Sequence, residues 1–383
     1  MDRQAFTLRT CFYLLLFIFY ACSSTDDADL TTPNPAEASE QNVGDDNPSE
    51  EGDPNDTSGG EDESNDGASD DEATAGNSVS VTSDCFWAEK TASAIERLES
   101  QTALIGGRLY TFAGFTHSLE ISAQTEILDL ETGTWTYGAP MPVAVTHMGA
   151  AVVDGKVWIV GGFEGDHPGV AIDAVQIYDP QTDTWSAGPA LPSPRASGAV
   201  VYLDGALYYF GGLEADRQTD VAELLVLDVD QQSQGWQQMA DMPVARNHLG
   251  GVVYGGRIYA VGGQTGHDGA RDDLAVVHAY DPGTDRWEQL ADLPEDRSHF
   301  EPGIFTLGDK ILVAGGRSDA EYADDVLIYN LQNDTWEVLC ELPAPLLAPV
   351  SRVYKEQLYV VNGGDEGVCC PLSNVWVADL IVD

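Results

Sequence analysis

Arginine and histidine recur in this 383-residue chain at spacings that could support chemistry. Arg97, Arg195, Arg246 and Arg297 stand at matching points of a repeated pattern. His248 and His299 follow two of them by two residues, and His147 joins them. A guanidinium forks onto a carboxylate, and an imidazole or carboxylate held beside it moves a proton. The less regular stretches add Glu164, Asp166, His167, Glu214, Asp216 and Arg217, then His267, Asp268, Arg271, Arg317, Asp319 and Glu321. The candidate binding residues are Arg97, His147, Arg195, Arg246, His248, Arg297, His299, His267, Asp268 and Arg271. An arginine recurring in one register is equally a linker between repeated units, and a loop carboxylate is ordinarily solvated. No Ser-His-Asp spacing, phosphate loop or HExxH run marks a hydrolase or nucleotide enzyme, so no catalytic residue is assigned. Neither a spaced CxxC pair nor a local cysteine–histidine set suggests zinc, and no cofactor or metal is expected.

The elements that must position these residues are strands. In the stretch from Arg246 to Pro294 an apolar run, Leu249 to Tyr254, meets Gly255-Gly256, and a second run leaves from Arg257. Two glycines suit the positive φ angles of a two-residue hairpin turn. Gly262-Gly263 ends the second run, Ala275 to Tyr280 reads as a third strand, and Asp281-Pro282-Gly283 turns into a fourth beginning at Trp287.

That unit repeats. Trp87, Trp135, Trp185, Trp236, Trp287 and Trp336 lie 48, 50, 51, 51 and 49 residues apart. Glycine pairs keep step at Gly161-Gly162, Gly211-Gly212, Gly262-Gly263, Gly315-Gly316 and Gly363-Gly364, with Ala113-Gly114 as an altered copy. A glycine pair, an aromatic before a turn (Tyr178, Tyr280, Tyr329) and then a tryptophan resembles the Kelch repeat, over about 300 residues and all six units. The resemblance implies an all-β fold, a six-bladed Kelch β-propeller with one four-stranded blade per repeat. A lone four-stranded sheet leaves both faces bare until neighbours cover them, which favours the same arrangement. The last repeat lacks a fourth strand and residues 85 to 96 look like an isolated one, so the N-terminal strand is expected to complete the C-terminal blade. The chemistry-bearing loops then share one face, suited to a protein or glycan ligand. Similarity to the sialic-acid mutarotase (N-acetylneuraminate epimerase) family, also exported six-bladed Kelch propellers, implies the alternative of a mutarotase acting on an acidic sugar.

Residues 1–21 read as a signal peptide, with Arg3 and Arg9 before an apolar run too short to span a bilayer. Ala21-Cys22-Ser23 resembles a bacterial lipoprotein signal, implying lipidation at Cys22 and a place in the cell envelope, at the outer membrane or cell surface, with the lipid as the sole membrane contact. Residues 22–84 hold 19 acids and no base, a disordered acidic linker, and residues 85–383 form the propeller. That folded part carries 44 acids against 15 bases, a face that repels a phosphate backbone and disfavours nucleic acid. Export permits disulfides. Cys340 is expected to pair with Cys369 or Cys370, with a Cys369-Cys370 bridge as the alternative and Cys85, at the opposite strand end, as the odd thiol.

Overall fold

A computed structural model describes residues 78–318, 321–365 and 371–383. The signal peptide, Cys22, most of the acidic linker, Asp319, Cys369 and Cys370 lie outside them. Within the described residues, five antiparallel sheets have four strands drawn from one repeat each. The first comprises Gln101–Ile105, Arg108–Phe112, Thr125–Asp129 and Thr134–Gly138. Blades two to five open with Gly149–Val153, Ala199–Leu203, Gly250–Tyr254 and Ile304–Leu307, and each runs outward in chain order. The sixth contains Val350–Tyr354, Gln357–Val361 and Val375–Val382. Its outer edge is supplied from the other end of the chain, because Ala88 pairs with Val377 and Glu89 with Trp376. A further strand, Val81–Ser83, pairs with the far half of Val375–Val382, so the sheet starts before residue 85. The innermost strands touch their neighbours in sequence order, and the sixth touches the first.

Local chemistry explains the hairpins. Gly255 and Gly256 have φ of 58° and 73°, the pair of left-handed residues that a tight right-twisting hairpin needs. In the sixth repeat Lys355 and Glu356 hold the same conformation at 47° and 59° without glycine's freedom.

Two devices join the blades. Each repeat tryptophan donates its indole N–H to a carbonyl of the preceding repeat, as in Trp185 to Ala139, Trp236 to Pro189 and Trp287 to Ala240, each at 2.9 Å. Trp87 completes the circle by donating to Glu341 at 2.8 Å. The second device is the glycine pair at the end of each second strand. Gly162 N–H donates to Arg195 O, Gly212 to Arg246 O, Gly263 to Arg297 O and Gly363 to Arg97 O, at 2.8–3.0 Å. A Cβ on Gly262 would stand 2.5 Å from Arg297 O, so the pair permits an approach that a side chain would block. In the last repeat the pair in this register is Asn362-Gly363, with φ of 56° and 95°, one residue earlier than the Gly363-Gly364 expected from composition.

The expected place of Cys85 is corrected, while the expected pairings with Cys369 and Cys370 fall outside the described residues. Cys85 lies beside Cys340 in the apolar cluster between the fifth and sixth sheets, with its Sγ 3.7 Å from Leu339 O. Sheet twist leans the start of each outer strand against the end of the preceding one, and the Trp87–Glu341 bond brings the two thiols to one place. Among the described residues both are free thiols, and burial, then Cys85, pushes the Cys340 thiol up.

Candidate functional site

The glycine grip on the first-strand entry residue fixes the backbone just beyond it. Two residues past each gripped carbonyl stand Glu99, His147, Ser197, His248, His299 and Ala348, all in the left-handed region with φ between 47° and 57°. Such a conformation costs a non-glycine residue about 1–3 kcal/mol, and here it recurs at one register in every repeat. Backbone bonds pass from blade to blade at this level: Ser197 N–H to His147 O, His248 N–H to Ser197 O, and Ala348 N–H to His299 O, at 2.7–2.9 Å. The six residues thus share one backbone setting, and His147 Nε2 reaches Glu99 Oε2 at 2.9 Å while His299 Nε2 lies 3.8 Å from Glu99 Oε1. The His248 and His299 rings stack with centroids 4.0 Å apart.

Neighbouring side chains fix the proton positions. Asn247 Nδ2 donates to Asp220 Oδ1 and to Gly266 O, so its Oδ1 faces His248 Nδ1 and can only accept. His248 therefore carries its proton on Nδ1, leaving a bare Nε2 that is buried without a partner among the described residues. Ser298 Oγ donates to Asp273 Oδ1 at 2.6 Å and accepts from His299 Nδ1 at 2.7 Å, which leaves His299 Nε2 bare as well. Burial, reinforced by the neighbouring histidines and Arg317, holds His248 and His299 well below the usual imidazole range and both are neutral. Burial pushes Glu99 up, but His147, His267 and Arg317 outweigh it and keep the carboxylate ionised. Glu301 goes the other way: burial, then the Glu99 charge, raises it to about 8, so the neck holds one charged and one protonated carboxyl group.

Above the neck opens a funnel of about 320 Å³. Its walls include two short ribbons, Gln264–Thr265 with Asp272–Asp273 and Arg317–Ser318 with Glu321–Tyr322. Arg317 is consumed by Asp273, Gln264 and Ser298. Arg217 forks onto Asp268 and lies 4.0 Å from the Phe163 ring centroid. Arg271 makes no hydrogen bond or ion pair among the described residues, and burial, then Arg317, lowers its pKa. Phe115, Leu119 and Leu347 line the same space.

Of the residues expected at a binding face, the structure brings His147, His267, Asp268, Arg271 and His299 to the funnel and His248 to the neck. The four repeat arginines are spent elsewhere. Arg97 bonds Glu126, Ala113 O and Gln124 O, Arg195 bonds Glu223, Arg246 bonds Val244 O and Ala260 O, and Arg297 bonds Asp325. They are buried linkers within and between blades and do not line the funnel. Glu164, Asp166, Glu214, Asp216 and Glu321 are exposed, and Asp216 caps its own loop through Gln218 and Thr219 N–H. Sequence reasoning missed Glu99, Glu301, Asn247 and Ser298. Glu99 had a findable signal, since it follows Arg97 at the interval by which His248 follows Arg246.

The Kelch-repeats domain described for KLHDC2, KLHL20 and DRC7 matches residues 59–263 and again 186–364. The chain is 29% identical over 285 residues to the Kelch-like protein terF of Aspergillus terreus, covering 70% of this chain and 61% of that one. It is 33% identical over 130 residues to the human Kelch-like protein 33, covering 33% of this chain and 24% of the relative. The chain thus spans less than two thirds of these curated relatives. The solved structure of YjhT superposes with a TM-score of 0.63 at 17% identity, covering 77% of this chain and 99% of that one, a likeness of fold.

Proposed function

The chain belongs to the Kelch-repeat family, and from that premise we propose that it is an exported, lipid-anchored propeller whose funnel binds an acidic sugar at the end of a glycan. One observation carries the reading: Arg271, without an ion pair among the described residues, stands at a funnel whose other guanidiniums are already committed. A ligand carboxylate at Arg271 gains a charge-assisted pair and relieves the repulsion from Arg317. The apolar wall of Phe115, Leu119 and Leu347 suits the hydrophobic face of a sugar ring, and about 320 Å³ suits a single sugar residue rather than a protein surface. Calorimetry with sialic acid against neutral galactose tests this. Arg271→Ala should weaken sialic-acid binding roughly 10- to 100-fold, the loss of about 1.5–3 kcal/mol from a charged hydrogen bond. Equal affinity for the neutral sugar, or binding indifferent to the substitution, would sink the reading. The anchor is tested separately, since Cys22→Ser should release the protein from the membrane fraction and abolish fatty-acid labelling.

A second reading, mutarotation of the same sugar, is favoured by the neck. Ring opening needs a base at the anomeric hydroxyl and an acid at the ring oxygen. Glu99, ionised against His147, and Glu301, protonated at neutral pH, supply one of each. Anomer equilibration no faster than in buffer, followed by one-dimensional NMR, would eliminate it.

A further inference from the structure

Glu99, His248 and His299 each bring one ligand atom to a common place, all within 4.8 Å of one another, with His299 Nε2 and Glu99 Oε1 3.8 Å apart. All three are acceptors. The bond to Asn247 Oδ1 fixes the His248 proton on Nδ1, the bond to Ser298 Oγ fixes that of His299 on Nδ1, and Glu99 turns a carboxylate oxygen to within 3.8 Å of His299 Nε2. Three acceptor lone pairs converging where water is largely excluded are unfavourable unless a cation lies between them. We propose that they form a site for one divalent d-block ion of the zinc class, with two imidazoles and a carboxylate as ligands and a fourth position open toward the funnel. Zinc takes nitrogen and oxygen ligands at about 2.0–2.2 Å in tetrahedral sites. Two ligands on such an ion stand roughly 3.4 Å apart, near the 3.8 Å between His299 Nε2 and Glu99 Oε1.

The outer shell is already in place. Ligating histidines ordinarily donate their other N–H to a carbonyl or hydroxyl oxygen, which fixes ring and tautomer. His248 does so to Asn247 and His299 to Ser298, which is held in turn by Asp273. His147 Nε2 lies 2.9 Å from the other oxygen of Glu99. The carboxylate of Glu99 belongs to the set itself, and that of Asp273 beside it is paired with the Arg317 guanidinium. The left-handed backbone common to all six register positions gives Glu99, His248 and His299 one backbone setting.

The test uses the full chain, stripped with a chelator and titrated with Co²⁺ and then Zn²⁺, without sugar, so that its outcome is independent of the glycan reading. The expected result is one ion per chain with the intense visible bands of low-coordinate, nitrogen-ligated Co²⁺, which the carboxylates of the acidic stretch cannot produce, and displacement by Zn²⁺. His248→Gln and His299→Gln each should weaken binding more than about 100-fold, and Asn247→Ala by about 10-fold as an outer-shell change. His117→Gln, an exposed histidine paired with Glu96, should bind as the parent does. Two histidine variants guard against one that fails to fold. Absence of the nitrogen-ligated bands in the folded parent, or their persistence in a folded His248 or His299 variant, would overturn the proposal.

Discussion

Glu301 gives the residue-scale account a pH signature. Its carboxyl group is raised from 4.5 in an unfolded chain to about 8, so the folded protein holds a proton that the unfolded chain has released. The stability this contributes is complete below pH 4.5 and is lost as pH rises toward 8. His267, lowered by burial and then His147 to about 4, acts oppositely, contributing stability above the ordinary imidazole range that is lost as pH falls toward 4. Glu301→Gln should therefore hold its denaturation midpoint more nearly level between pH 5 and 8 while the parent declines; parallel profiles would contradict the assignment. Sequence made His248 and His299 visible because imidazole is scarce and both follow an arginine. Glu99 was hidden because one more acid in so acidic a chain carries no signal unless its register is counted. The protonation of Glu301 was beyond reach, since it depends on the burial that six blades create together.

At the scale of elements, the glycine pair is what turns a repeat into a ring. The period, the hairpins and the exchanged outer strand were all legible, because each is a local pattern or its absence at a chain end. The one-residue offset in the last repeat was not, because Asn362 fills the first glycine's place and composition alone pointed to the next glycine. The arginines illustrate the same limit: register marked them, but only packing shows that Glu126, Glu223 and Asp325 have claimed three of them. Gly262→Ala tests the grip. A left-handed alanine costs about 1–2 kcal/mol, and the 2.5 Å approach to Arg297 O adds to it. The expected outcome is a lower denaturant midpoint with an unchanged slope. A midpoint equal to the parent's would show that the close approach is not needed.

At the scale of the whole molecule, a regular scaffold carries an irregular axis. Six equivalent positions present Glu, His, Ser, His, His and Ala, so the ring backbone repeats while its chemistry does not. Above it, loops of unequal length break the symmetry and wall a funnel on one side with polar groups and on the other with apolar ones. A net negative surface makes recognition of an acidic ligand depend on a few cations at the funnel, such as the exposed Arg271, rather than on a general field. The seven histidines of the chain report on this directly. His147, His167, His267 and His299 line the funnel, His248 sits in the neck, and His117 and His278 lie outside both. Imidazole ¹⁵N NMR during a titration with sialic acid should shift the four funnel histidines and leave His117 and His278 unmoved. Shifts confined to His117 or His278, or none at saturating sugar, would contradict the account.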